Sequence, residues 1–96
     1  MKAPTRTRPY KLPRNFTALG EYLQHSRELC LLTQRKVSLK LGYSSAQFIS
    51  NFERGISAPP MKRLRVLIKM YKCDEPTVVD LYLKGVRAEM QGALKK

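Results

Sequence analysis

Between residues 46 and 54 the sequence gathers side chains suited to a flat hydrogen-bonding partner. At about 100° per residue, Ala46, Ser50, Arg54, Gln47 and Asn51 share one arc of a helix, while Phe48, Phe52, Ser45 and Ile49 share the other. One side is small, amidic and basic; the other is mostly aromatic and aliphatic. A carboxamide carries a donor and an acceptor side by side and can bond an adenine edge bidentately, and an alanine or a serine methylene can meet a thymine methyl. This chemistry binds without reacting. The residues a catalyst needs are thinly supplied. His25 is the single histidine, Cys30 and Cys73 lie far apart, and no Gly-rich phosphate loop, paired catalytic carboxylates or nucleophile motif is present. The expectation is a protein that is not an enzyme and takes no metal or cofactor. Two plainer uses compete for the amides: Ser44 and Gln47 fit a Ser-x-x-Gln capping box, and Asn51 could be a solvated surface residue.

The elements that would position these side chains read as helices from residue 17 onward, with no period-two alternation of a strand. Thr17 can cap a first helix over about 17–31 whose inward arc holds Leu19, Tyr22, Leu23, Ser26 and Cys30. Thr33 caps a short second helix with Val37, Ser38 and Leu41 inward, and Gly42 closes it. The third helix follows Ser44-Ser45 and stops at Gly55. Pro59 and Pro60 turn a corner into a fourth apolar stripe of Leu64, Leu67, Ile68 and Tyr71. Asp74 and Pro76 suit the start of a fifth helix, whose stripe of Val79, Tyr82, Leu83, Val86 and Met90 can extend to Leu94. Val78 and Leu81 add apolar surface on another side. One packed face does not need both, so part of this helix is expected to meet a partner.

Charge decides what kind of partner the rest of the surface attracts. The chain of 96 residues carries 19 Lys and Arg against 7 Asp and Glu, a net charge of +12, which draws polyanions. Residues 1–14 hold +5, residues 35–72 hold +8, residues 15–34 hold −1, and residues 73–96 cancel. Glu53 is the lone acid of the basic middle. Residues 1–15 read as a flexible basic arm, because Pro4, Pro9 and Pro13 interrupt any regular element; Arg6, Arg8 and Lys11 would either track phosphates or belong to a solvated tail. Residues 16–96 form the single folded domain, large enough to bury about 65% of its unfolded surface. With 43% hydrophobic residues the chain is too apolar for wholesale disorder, yet no run approaches the roughly 18 residues of a membrane span and no apolar signal stretch opens it. A cytoplasmic protein is expected, with both cysteines acting as small buried hydrophobes rather than a disulfide.

Helix, short helix, tight turn and a helix with a polar outward face is a helix-turn-helix order. Residues 19–83 also resemble the DNA-binding domain of the Xre-type, lambda-repressor and Cro-like regulators. The resemblance rests on Leu32-Thr33-Gln34, Leu41-Gly42, Ile49-Ser50-Asn51-Phe52-Glu53-Arg54-Gly55 and the proline pair. It implies an all-α, five-helix lambda-repressor-like fold of bacterial or phage origin. It implies that Ala46, Gln47, Ser50 and Asn51 face base edges, and that Gln34 anchors a phosphate or a neighbouring side chain. Arg35, Lys36, Ser45 and Arg54 suit the DNA backbone. It also implies an ion pair between Arg27 and Glu53. Two features depart from the family pattern: Tyr43 is an extra residue between Gly42 and the third helix, which shifts the register of the base-facing positions, and Ser38 stands where alanine is common.

The expected function is a sequence-specific double-stranded DNA-binding transcriptional regulator, a repressor that binds an inverted repeat as a homodimer through Val79, Tyr82, Leu83, Val86 and Met90. The rival is an antitoxin or adaptor that uses the same fold to hold a partner protein at the C-terminal helix.

Overall fold

A computed structural model describes residues 14–95, and the chain there is helical with no strand. Five helices follow one another: α1 (Thr17–Leu29), α2 (Gln34–Leu41), α3 (Gln47–Glu53), α4 (Met61–Met70) and α5 (Glu75–Leu94). This is a lambda-repressor-like helix-turn-helix arrangement. The basic-arm residues Arg6, Arg8 and Lys11 lie outside the described residues.

Local chemistry explains most of the boundaries. Thr33 accepts the Lys36 N–H at 3.1 Å and opens α2, and Gly42, at φ 82°, closes it in the left-handed conformation that glycine adopts without a Cβ clash. The Asp74 carboxylate accepts the Thr77 N–H at 3.2 Å and starts α5, with Pro76 in its first turn. The start of α1 differs from the reading that Thr17 is a cap. Phe16 holds the cap position without a side-chain bond, and the Thr17 hydroxyl donates backward to the Arg14 carbonyl at 3.0 Å. The entry to α1 lies beside the Gly55 turn, to whose carbonyl the Phe16 N–H donates at 3.2 Å, so a tertiary contact replaces the cap. α1 also stops at Leu29 rather than residue 31, because Leu31 turns to φ 59° and the Leu32 N–H returns to the Arg27 carbonyl.

The core forms where the apolar stripes of all five helices meet. Leu19 and Leu23 of α1, Val37 and Leu41 of α2, Ile49 and Phe52 of α3, Leu64 and Leu67 of α4, and Val78 of α5 are buried together with Phe16 and Tyr71. Each such side chain contributes about 1.5–3 kcal/mol over its exposed state. Ser38 fits the same interior because its hydroxyl donates to the Arg35 carbonyl at 2.9 Å, leaving a small satisfied residue between helices.

Two glycines set how closely the helices approach. A Cβ on Gly20 would collide with the Phe52 and Glu53 carbonyls of α3, and one on Gly85 would run into the Phe16 ring. Gly85 thereby decides which side of α5 packs: the side of Val78, Leu81 and Gly85 lies inward, and the Phe16 ring also meets Tyr82 at a centroid distance of 5.9 Å. The stripe read from the sequence is the surplus side. Val79, Leu83 and Met90 are exposed, and Tyr82 and Val86 are half-buried. The Tyr22 hydroxyl accepts the Asp74 N–H at 2.9 Å and pins the start of α5 to α1.

Candidate nucleic-acid interface

The helix that carries the amides is short, seven residues, so its placement depends on what grips its inner side. Ile49 and Phe52 enter the core, and Glu53, only 5% exposed, reaches toward α1. Arg27 Nε donates to Glu53 Oε2 at 2.6 Å and Nη2 to Oε1 at 3.1 Å, a bidentate pair, while Nη1 donates to the Leu32 carbonyl at 2.7 Å. Gln34 Nε2 donates to Glu53 Oε1 at 2.8 Å. One carboxylate thus ties α1, the start of α2 and the end of α3, and its partner Arg27 holds the α1–α2 turn. The hydrogen bond to Glu53 holds the Arg27 guanidinium above its ordinary range, against the opposing effect of burial. Gln34 is half-buried and spends one amide hydrogen here, keeping the second.

The outer side of α3 is organised differently. Gln47 is exposed and donates from Nε2 to Asn51 Oδ1 at 2.9 Å, so the two amides are partners of one another one turn apart. The capping box is not formed: the Gln47 N–H goes to Ser45 Oγ at 3.2 Å and the Gln47 side chain points along the helix, because α3 begins two residues later than a Ser44 cap requires. Ala46, Ser50 and Asn51 are half-buried beside it, and Ser45 and Arg54 are exposed. Arg35 and Lys36 stand exposed on the first turn of α2. His25 is exposed on α1. Among the described residues no group of His, Cys, Asp and Glu is arranged to hold a metal ion, and no helix is long and apolar enough to cross a membrane.

Phe48 departs from the helical-wheel reading. It is 47% exposed, because the buried arc of α3 is centred on Ile49, Phe52 and Glu53 and leaves Phe48 at its edge. The Phe48 ring stacks on Tyr43 with centroids 4.4 Å apart and planes at 16°. Tyr43, in the turn between α2 and α3, also meets Phe52 edge-on at 6.3 Å and lies under the Arg63 guanidinium, 4.9 Å from its ring centre. Sequence reasoning missed Phe16, Gly20 and Gly85. An apolar residue directly before a helix could have signalled Phe16, but the glycines carry no local signal, since their partners are distant in the chain.

The cysteines stand away from this face. Both are free and half-buried; Cys30 Sγ contacts the Tyr71 carbonyl at 3.5 Å, and burial pushes the Cys73 thiol up from its ordinary value.

A short helix with a rigidly held inner side and a polar outer side, preceded by a second helix across a tight turn, defines the helix-turn-helix class. A family model described as helix-turn-helix matches residues 23–78, more than half of the chain, and the protein belongs to that Xre and lambda-repressor-like family. Membership makes it a DNA-binding protein of the transcription-regulator type. No curated protein and no solved structure matches the chain.

Proposed function

We propose that this protein is a sequence-specific repressor that binds an inverted-repeat operator as a homodimer. The observation that carries the reading is the outer side of α3, where the Gln47 and Asn51 side-chain amides bond one another in the open while the opposite side is locked into the core. Ala46, Gln47, Ser50 and Asn51 read base edges, the amides bonding adenine; Arg35, Lys36, Ser45 and Arg54 hold phosphates. Gln34 turns its remaining amide hydrogen to the backbone while Glu53 fixes its position. The basic segment 1–14 adds a salt-dependent grip. One short helix reads only a few base pairs, so specificity needs two half-sites, and the exposed stripe of Val79, Leu83 and Met90 with Tyr82 and Val86 is the surface on which two copies meet.

Selection from random duplexes tests this directly. A defined inverted repeat with a two-to-one stoichiometry in sedimentation is expected, with steep salt dependence that deletion of residues 1–14 makes shallower. A monomer on a palindromic site defeats the dimer, and an unchanged slope shows the basic segment to be a passenger.

One observation favours a second reading, an antitoxin or adaptor that holds a partner protein. Between α4 and α5 lies an apolar groove of about 570 Å³ lined by Met61, Leu64, Ile68, Val78, Val79 and Leu83. Binding to DNA that is salt-sensitive but blind to sequence would favour it over the repressor.

A further inference from the structure

Phe48 is an apolar ring presented on the outer edge of the helix that carries the amides, and its neighbours hold it there. The turn residue Tyr43 fills the gap between Phe48 and the core: it stacks on Phe48 at 4.4 Å and meets the buried Phe52 edge-on at 6.3 Å. The Arg63 guanidinium at 4.9 Å adds a cation to the Tyr43 ring. Phe48 is therefore propped outward through a chain of rings that ends in the core, and nearly half its surface is left to solvent. A ring fixed in this way loses little conformational freedom when something packs on it.

The chemistry beside it indicates what that something is. Phe48 lies three residues before Asn51 on α3, the helical spacing that makes side chains neighbours, and the Asn51 amide is paired with Gln47 at 2.9 Å. In the major groove an A·T pair displays an adenine edge that a carboxamide bonds bidentately and, next to it, the thymine C5-methyl, which an apolar side chain contacts. No other base carries that methyl. We infer that Phe48, propped by Tyr43, is a thymine-methyl subsite adjoining the amide pair, so that this helix reads A·T pairs by both of the features they present. The inference rests on the reading of α3 as the base-reading helix. It also assigns a purpose to Tyr43 in the turn, whose ring stacks against Phe48.

Deoxyuridine supplies the test, because it removes the C5-methyl and leaves every hydrogen-bonding edge in place. The full chain is titrated with the duplex recovered by selection and with duplexes in which each thymine in turn is replaced by deoxyuridine. The wild-type protein is expected to lose about fourfold in affinity at one thymine of each half-site, the worth of one methyl buried. Phe48→Ala is expected to bind more weakly and to show no further loss at that thymine, and Phe48→Leu to recover part of the sensitivity. Tyr43→Ala should reduce the uracil effect as well. Uracil scanning of the wild-type protein needs no variant, so misfolding cannot mask the result. Sequence-specific binding with no thymine sensitive to demethylation, or with equal sensitivity in Phe48→Ala, overturns the subsite while leaving the base-reading role of α3 intact. Failure to select any sequence overturns both.

Discussion

The two sides of α3 are built on opposite principles within seven residues. On the inner side the Glu53 carboxylate accepts bonds from Arg27 and Gln34 at 2.6, 3.1 and 2.8 Å, and Ile49 and Phe52 are buried. On the outer side Gln47 and Asn51 share a single bond in the open. A buried charge pair is costly to disrupt because either member left alone stays desolvated, whereas an exposed amide pair exchanges its partner for water or a base edge at little cost. The difference separates two jobs: the inner side fixes where the helix sits, and the outer side remains available to whatever it meets.

That separation can be broken from either side. The largest effect is expected from Glu53→Gln, which strands Arg27 and should lower the free energy of unfolding by about 3–5 kcal/mol in urea titration. A loss within about 0.5 kcal/mol, the ordinary range for a surface change, would mean the inner side is no more demanding than the outer. Gly20→Ala forces a methyl against the Phe52 and Glu53 carbonyls and should cost about 1–3 kcal/mol of stability by the same measurement. An unaltered midpoint would show that α1 and α3 can separate freely.

Asn51→Ala probes the other side. It should leave stability nearly unchanged and weaken binding to the selected duplex by about 1–3 kcal/mol, relaxing the preference at one base position. A uniform loss over all sequences would identify a backbone contact instead. The smallest effect concerns Tyr71, whose buried phenol lies near the ion pair. Burial first, and Glu53 second, raise its pKa above the ordinary 10.0, with Arg27 opposing. The folded chain then keeps a proton that the unfolded chain loses as pH rises past about 10, so the stabilisation is full below that pH and is lost above it. Tyr71→Phe should make the alkaline fall in stability shallower by up to about 1.4 kcal/mol per pH unit. A slope identical to the wild type would place the phenol in water.

Much of the frame was legible because its signals are local. The Thr33 cap, Gly42, Asp74 and Pro76 mark boundaries through bonds made within a few residues, and the structure uses them all. Thr17 misled because its hydroxyl serves Arg14 while the entry to α1 is held by the Phe16 N–H donating to the Gly55 carbonyl, distant in sequence. Phe48 misled because a wheel groups aromatic with aliphatic residues, whereas the arc that is buried holds Ile49, Phe52 and Glu53 and leaves Phe48 at its edge.

Residue order by itself thus determined five helices, the helix-turn-helix order, the basic middle and the presence of amides on one side of α3, since caps, glycines, apolar period and charge act over short range. Tertiary structure alone decided which side of α5 packs, where Phe48 points and what the Gln34 amide holds. Those outcomes depend on the Gly85 backbone receiving Phe16, on Tyr43 standing between two rings, and on one carboxylate satisfied from two other helices. Each is a contact between residues that no local pattern relates.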